Sequence, residues 1–295
     1  MFKDKLKVKT GEVEDIVLSY LPDNIGHQQP VVDAMIYSVE AGGKRIRPLL
    51  MYETYKLFGG NSDVIKPFMA AMEFIHTYSL IHDDLPAMDN DEFRRGKPTT
   101  HIKYGEALAI LAGDGLLNFG FETAAKAFSI EPGSKKVEEA FSFLSNASGI
   151  YGMVGGQTVD VLTDAEGEIT REKLDFVYDL KTGALLLASM HIGALLAGAD
   201  KKDIEKIDII AKKIGLAFQI QDDILDVTST TEELGKPVGS DNKNNKATYV
   251  TFEGLKKASE YVRRLTFEAT ELLNSLDCKN DFLCELLLYL VDRKN

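Results

Sequence analysis

Two groups of aspartates carry the first chemical signal. LIHDDLPAMDNDEFRRGKPTTH, Leu80–His101, sets Asp83, Asp84, Asp89 and Asp91 directly after an apolar run and follows them with Arg94 and Arg95. A solvated surface mixes its charges loosely, and a packed core rejects unpaired carboxylates. GLAFQIQDDILDV, Gly215–Val227, holds Asp222, Asp223 and Asp226 among the core-type residues Leu216, Phe218, Ile220, Ile224 and Leu225. On a helix Asp222 and Asp226 share a face, with Asp223 flanking. Such carboxylates repel one another unless a cation sits between them. In the first group an ideal helix puts Asp83 and Asp89 about 240° apart. Pro86 lies between them and disturbs that helix, so an ending turn is expected to bring both carboxylates to one side. An EF-hand loop does not fit, because Phe93 and Thr100 stand where oxygen ligands are needed.

Carboxylates without His or Cys partners suit hard cations, Mg²⁺ first. Mg²⁺ takes one or two carboxylates and completes its shell with water and substrate phosphates, so the two groups are expected to grip a diphosphate through metal. Arg94 and Arg95 can meet phosphate oxygens with their forked donors. A third constellation, AGGKRIRP at Ala41–Pro48, offers Lys44, Arg45 and Arg47. It lacks the spacing of a Walker loop and suits a second anion held without metal. His76 lies on another helix that can approach it.

The elements that must position these groups are helices. Apolar residues three and four apart mark Val31–Glu40, Val64–His82, Tyr104–Phe128, Lys135–Met153, Arg171–Leu180, Asp203–Val227 and Phe252–Leu276. Breakers separate them at Gly42, Gly59, Glu131–Ser134, Asp164–Thr170 and Ala197–Asp200. Strict alternation is scarce, so the chain reads as all-α. Thr182–Ala199 carries 18 uncharged residues. That touches the lower limit for a membrane span, but a buried helix of a large bundle is the better reading. The long irregular stretch Thr228–Thr248 bears Lys236, Lys243 and Lys246 and is expected to be functional.

With 295 residues, 44% of them hydrophobic, the chain can bury a large core. Its net charge of −12 and lack of a basic stripe argue against nucleic acid. Cys278 and Cys284 match no metal motif and no disulfide framework. The lysine-rich N-terminus has no apolar run after it, so a cytoplasmic location is expected.

GGKRIRP, LIHDDLPAMDNDEFRRGKPTTH, GMVGGQTVD, KTGALL, FQIQDDILD and LGKPVGSD, in this order and across most of the chain, resemble the trans-isoprenyl diphosphate synthases, the bacterial farnesyl diphosphate synthases most of all. The resemblance implies one domain, residues 1–295, folded as an orthogonal helical bundle of the isoprenoid synthase type around a deep central cavity. It implies a homodimer and Mg²⁺ (three ions per site) held by Asp83, Asp84 and Asp89 on one side and Asp222, Asp223 and Asp226 on the other. Arg94, Lys181, Lys236 and Lys246 would then contact an allylic diphosphate, dimethylallyl or geranyl. Isopentenyl diphosphate would bind through Lys44, Arg47, His76 and Arg95. Thr182 and Gln219 would steady the carbocation, and Gln157 and Asp160 would line the mouth. Two departures stand out: Ala247-Thr248-Tyr249-Val250 replaces the family's Ser-Thr-Tyr-Pro, and Arg293 is the candidate for its C-terminal arginine.

Residue size before the first acidic group sets product length in that family. Tyr78, five residues before Asp83 and about 7.5 Å down the helix axis, would be the floor of a cavity for a fifteen-carbon product. Gly155 and Gly156 each cost a helix about 1 kcal/mol relative to Ala, which a close approach would explain. The rival readings are a geranylgeranyl diphosphate synthase, a terpene cyclase, and an inactive subunit of a heteromeric synthase. A cyclase has no need of the second anion site, and inactive subunits typically lose one acidic group.

Overall fold

The computed structural model describes residues 1–23, 26–166, 170–228 and 248–292. Most helices form where apolar residues recur at helical spacing, and most end at the breakers. The helices are α1 Phe2–Leu18, α2 Gln29–Glu40, α3 Ile46–Leu57, α4 Ile65–Asp83, α5 Thr100–Tyr104, α6 Glu106–Ala125, α7 Ala127–Ile130 and α8 Lys135–Ser148. Then follow α9 Met153–Glu166, α10 Arg171–Val177, α11 Gly183–Ala197, α12 Lys201–Thr228, α13 Tyr249–Glu253, α14 Leu255–Asn274 and α15 Asp281–Val291. A π-turn, Tyr178–Thr182, joins α10 to α11. The strands among the described residues are a hairpin, β1 Phe93–Arg94 and β2 Lys97–Pro98.

Two helices sit at the centre. Along α4, Phe68, Met69, Met72, Phe74 and Ile75 are fully buried, and along α11 so are Leu185, Ala188 and Ile192. α11 is apolar on every side, as buried helices are, while α4 is mostly apolar and sends polar residues to the site and to Arg45. α4 packs on α6 and α3; α11 packs on α3, α8 and α12, while α14 covers α12. The run Arg171–Ala197 is long and apolar enough to cross a membrane by composition, yet α11 within it is a core helix. Truncating one of these central apolar side chains to Ala is expected to cost about 2–5 kcal/mol.

Polar clamps set how the outer helices meet this core. Asn280 caps α15 by accepting from the Leu283 amide, and its own amide donates to Glu53 on α3. Glu53 also takes Lys9 of α1 at 2.6 Å. Boundaries differ from the sequence reading in three places. The expected helix Lys135–Met153 breaks at Gly149–Gly152, and a new helix, α9, starts at Met153. α9 then runs into the expected breaker at Asp164. α1, α3 and α15 carried no marked segment; charged residues interrupt the apolar spacing of α1 and α3.

Candidate active site

α4 ends at Asp83, and the chain after it folds straight back. The amide of Leu85 donates to the carbonyl of His82, and that of Asp89 donates to the carbonyl of Asp83 at 2.9 Å. The ending turn expected from Pro86 therefore does return Asp89 to Asp83. The Asp83 carboxylate accepts from the side-chain amide of Gln157 at 2.8 Å. Burial pushes its carboxyl up to about 6; Lys181 opposes the shift and Asp89 adds to it. Asp84 is turned inward and buried. Arg94 clamps it with Nε at 2.8 and 2.9 Å and Nη2 at 2.6 Å. Asp89 stays exposed.

The second group divides in the same way. α12 exposes Asp222 and buries Asp223 and Asp226, a difference in exposure that their helical spacing does not indicate. The reason is the packing of α12 against the π-turn and α13. One oxygen of Asp223 accepts the Tyr178 hydroxyl at 2.6 Å and the Tyr249 amide at 2.8 Å. Among the described residues, no three carboxylate, imidazole or thiol groups stand close enough to make a ready-made metal cage.

α9 connects the two groups. Gln157 holds Asp83, and one turn later Asp160 holds Lys181 at 2.5 Å. Gly156 lies so close to the π-turn that a Cβ there would collide with the backbone of Lys181. Here the close approach expected of the glycine pair is realised. Tyr78, His82, Asp83, Met153, Lys181 and Thr182 line a cavity of about 500 Å³. Tyr78 is buried on its wall, its ring edge-on to His82 at 5.6 Å. His82 in turn packs on α6 where Gly113 leaves it room. Gln219 is half-buried on α12 and does not line this cavity. Lys236 and Lys246 lie outside the described residues, as do Lys243 and Arg293.

A second cavity of about 430 Å³ adjoins the first and shares Arg47 and His76 with it. Lys44 and Arg95 line it too. Arg95 reaches it from the hairpin turn, its guanidinium lying over Gly43 and donating to the Gly42 carbonyl. Arg47 donates to Nε2 of His76 at 3.1 Å. Burial, then the charges of Arg47 and Arg95, hold the His76 imidazole well below its usual range, so it is neutral and accepts. Burial lowers Arg47 to about 10, and its buried Nε has no acceptor among the described residues. A half-buried guanidinium with one buried donor unpaired among the described residues, beside further cations, suits an anion. Arg45 is different. It turns inward to Glu14 and Glu73 and to the Val39 carbonyl, fully buried. Sequence reading grouped Arg45 with its neighbours and missed Glu73. The available signal was an acid three residues before His76 inside an apolar run.

Residues 28–278 match the polyprenyl synthetase family. A geranylgeranyl diphosphate synthase from Cyanophora paradoxa is 45% identical over 283 residues, covering 96% of this chain and 93% of that one. A farnesyl diphosphate synthase from Geobacillus stearothermophilus is 46% identical over 259 residues, 86% of each chain. A solved geranyltransferase from Helicobacter pylori, complexed with magnesium and isoprenyl diphosphate, aligns with a TM-score of 0.83 at 31% identity, covering 98% of this chain and 96% of that one. The bundle is of the isoprenoid synthase type, and the chain belongs to the polyprenyl synthetase family.

Proposed function

We propose that this chain, acting as one domain, is a short-chain trans-prenyltransferase that joins isopentenyl diphosphate to dimethylallyl and then geranyl diphosphate and stops at farnesyl diphosphate. The observation that carries this is the pair of adjoining cavities, one apolar with an acidic rim and one basic, meeting at Arg47 and His76. Two diphosphates need two such sites, and their reacting carbons must meet between them.

The rim fits a divalent metal by donor chemistry. It offers only hard oxygen ligands, and Asp83 and Asp89 burden each other with like charge that a cation would relieve. Asp83, Asp89 and Asp222, half-exposed or exposed, would hold it, while Asp84, Asp223 and Asp226 are buried. Mg²⁺, three ions in this reading, would neutralise charge on the departing diphosphate when bound. The protein's own part is as follows. Lys181 exchanges Asp160 for the allylic diphosphate, and Arg94, braced by Asp84, reaches the same group. Lys236 and Lys246 join them from the 229–247 segment. Lys44, Arg47 and Arg95 hold isopentenyl diphosphate, with neutral His76 orienting Arg47. Thr182 and Gln219 steady the carbocation at C1 in this reading, with Thr182 in the cavity lining. The isopentenyl double bond attacks that carbon, and the departed diphosphate takes the proton.

Product length rests on Tyr78. The prenyl tail runs down the apolar cavity, and a phenol ring on its wall stops it at fifteen carbons. The similarity to the Cyanophora enzyme favours a second reading, a geranylgeranyl diphosphate synthase. A homodimer and a cytoplasmic location belong to the proposal. The first is supported by Ile110 and Leu111, large apolar groups about half exposed on α6. The second is supported by the two free thiols, Cys278 and Cys284. The test is incubation of the purified chain with isopentenyl and dimethylallyl diphosphates and Mg²⁺, followed by mass spectrometry of the dephosphorylated alcohols. A fifteen-carbon alcohol is expected. A twenty-carbon alcohol would establish the second reading, and no product would leave the inactive-subunit reading standing.

A further inference from the structure

Tyr178 opens the π-turn and is buried. A buried phenol needs an acceptor, and any backbone carbonyl would serve. This one instead donates to a carboxylate of the second acidic group, Asp223, at 2.6 Å, a charge-assisted bond. The same oxygen takes the amide of Tyr249, the first residue of α13. Asp223 is thus the junction of α12, the π-turn and α13. The turn is gripped from its other side by Gly156, which presses on the backbone at Lys181. π-turns are widened, higher-energy segments that persist where neighbours hold them. This one presents Lys181 and Thr182 to the apolar cavity.

We propose that Tyr178 is a positioning residue: by tying the π-turn to Asp223 it fixes where Lys181 and Thr182 meet the allylic diphosphate. The proposal rests on the reading of that cavity as the allylic site. Asp223 then acts through turn geometry, while exposed Asp222 faces the cation.

The test is Tyr178→Phe, which keeps the ring and deletes the donor. The KM for the allylic diphosphate is expected to rise about tenfold, the worth of one hydrogen bond to a charged group. The KM for isopentenyl diphosphate and the half-saturating Mg²⁺ concentration stay within about twofold, as for an independent site. A merely structural role would lower Tm and the active fraction and leave both KM values alone; that result overturns the proposal. A double-mutant cycle adds a second readout. In an Asp223→Asn background, Tyr178→Phe is expected to cost less than about twofold further, and fully additive effects would overturn it as well. Loss of the positioning role is separable from loss of the underlying reading, because the latter fails only if the unmutated chain makes no prenyl product.

Discussion

The two cavities that meet at Arg47 and His76 handle charge in opposite ways. The apolar one has a half-exposed carboxylate, Asp83, in its lining, with Asp89 folded back beside it and open to water. The basic one has Arg47 and His76 half-buried where it meets the first, held largely out of water, and it is braced by a fixed ion cluster, Arg45 with Glu14 and Glu73. The difference suits two tasks. A diphosphate that must leave is best held by groups that mobile cations can neutralise. A diphosphate that stays through the reaction is best held by cations built into the protein, whose desolvation is offset during folding by Glu73 and Glu14.

The largest effect should come from breaking the rim. Asp83→Ala and Asp222→Ala are each expected to lower turnover by about 10²- to 10³-fold, the scale of losing one preorganised charge at the reacting group. EDTA should abolish activity and Mg²⁺ restore it. Full turnover in EDTA would mean that the rim does not work through metal, and the contrast between the cavities would collapse.

The next effect separates the cavities by substrate. Arg47→Ala is expected to raise the KM for isopentenyl diphosphate by about 10- to 100-fold and leave the allylic KM nearly unchanged. Arg94→Ala should do the reverse. Steady-state kinetics with each substrate varied in turn decides it; equal effects on both substrates would show that the two anion sites are not separate.

Much of this contrast was legible in the sequence, and the illegible part has a physical pattern. The acidic groups, GGKRIRP and the all-α class follow from residue type and spacing. So does the return of Asp89 to Asp83, because Pro86 cannot continue the helix. Spacing does not say which member of a charged group the protein uses internally. Asp84 and Asp223 read like their neighbours, yet both are turned inward, one to Arg94 and one to Tyr178 and Tyr249. Arg45 reads like Arg47, yet it faces Glu73. These assignments depend on long-range partners, 28 residues apart for Arg45 and Glu73 and 45 for Tyr178 and Asp223. No local pattern encodes such pairs.

A change inside the apolar cavity should alter the product more than the rate. Tyr78→Ala removes the ring from the wall, and products of twenty carbons or more are expected to appear by mass spectrometry. The same substitution should leave the KM for isopentenyl diphosphate within about twofold, since the basic cavity is untouched. An unchanged fifteen-carbon product would take Tyr78 out of this role.

The smallest expected effect is a pH dependence of stability, and it sharpens the contrast because the buried ionisable groups of the two cavities pull in opposite directions. His76 has its folded-state pKa held well below the ordinary value of about 6.5 by burial and by Arg47. At pH 8 the imidazole is neutral in both folded and unfolded chains. Below about pH 6.5 the unfolded chain takes up a proton there and the folded chain does not, so stability falls as the solution is acidified. Asp83 behaves the other way. Its folded pKa is raised to about 6, so its contribution is present at low pH and is lost as pH rises from about 4 through 6. His76→Gln keeps an acceptor for Arg47 and removes the titration. Its Tm is expected to decline less than that of the unmutated chain between pH 7.5 and about 5.5, a window set by the unfolded imidazole. Parallel thermal melts across that window measure the difference. Identical slopes would mean that His76 is hydrated enough to titrate normally, and a hydrated His76 cannot be the buried neutral acceptor that orients Arg47 between the two cavities.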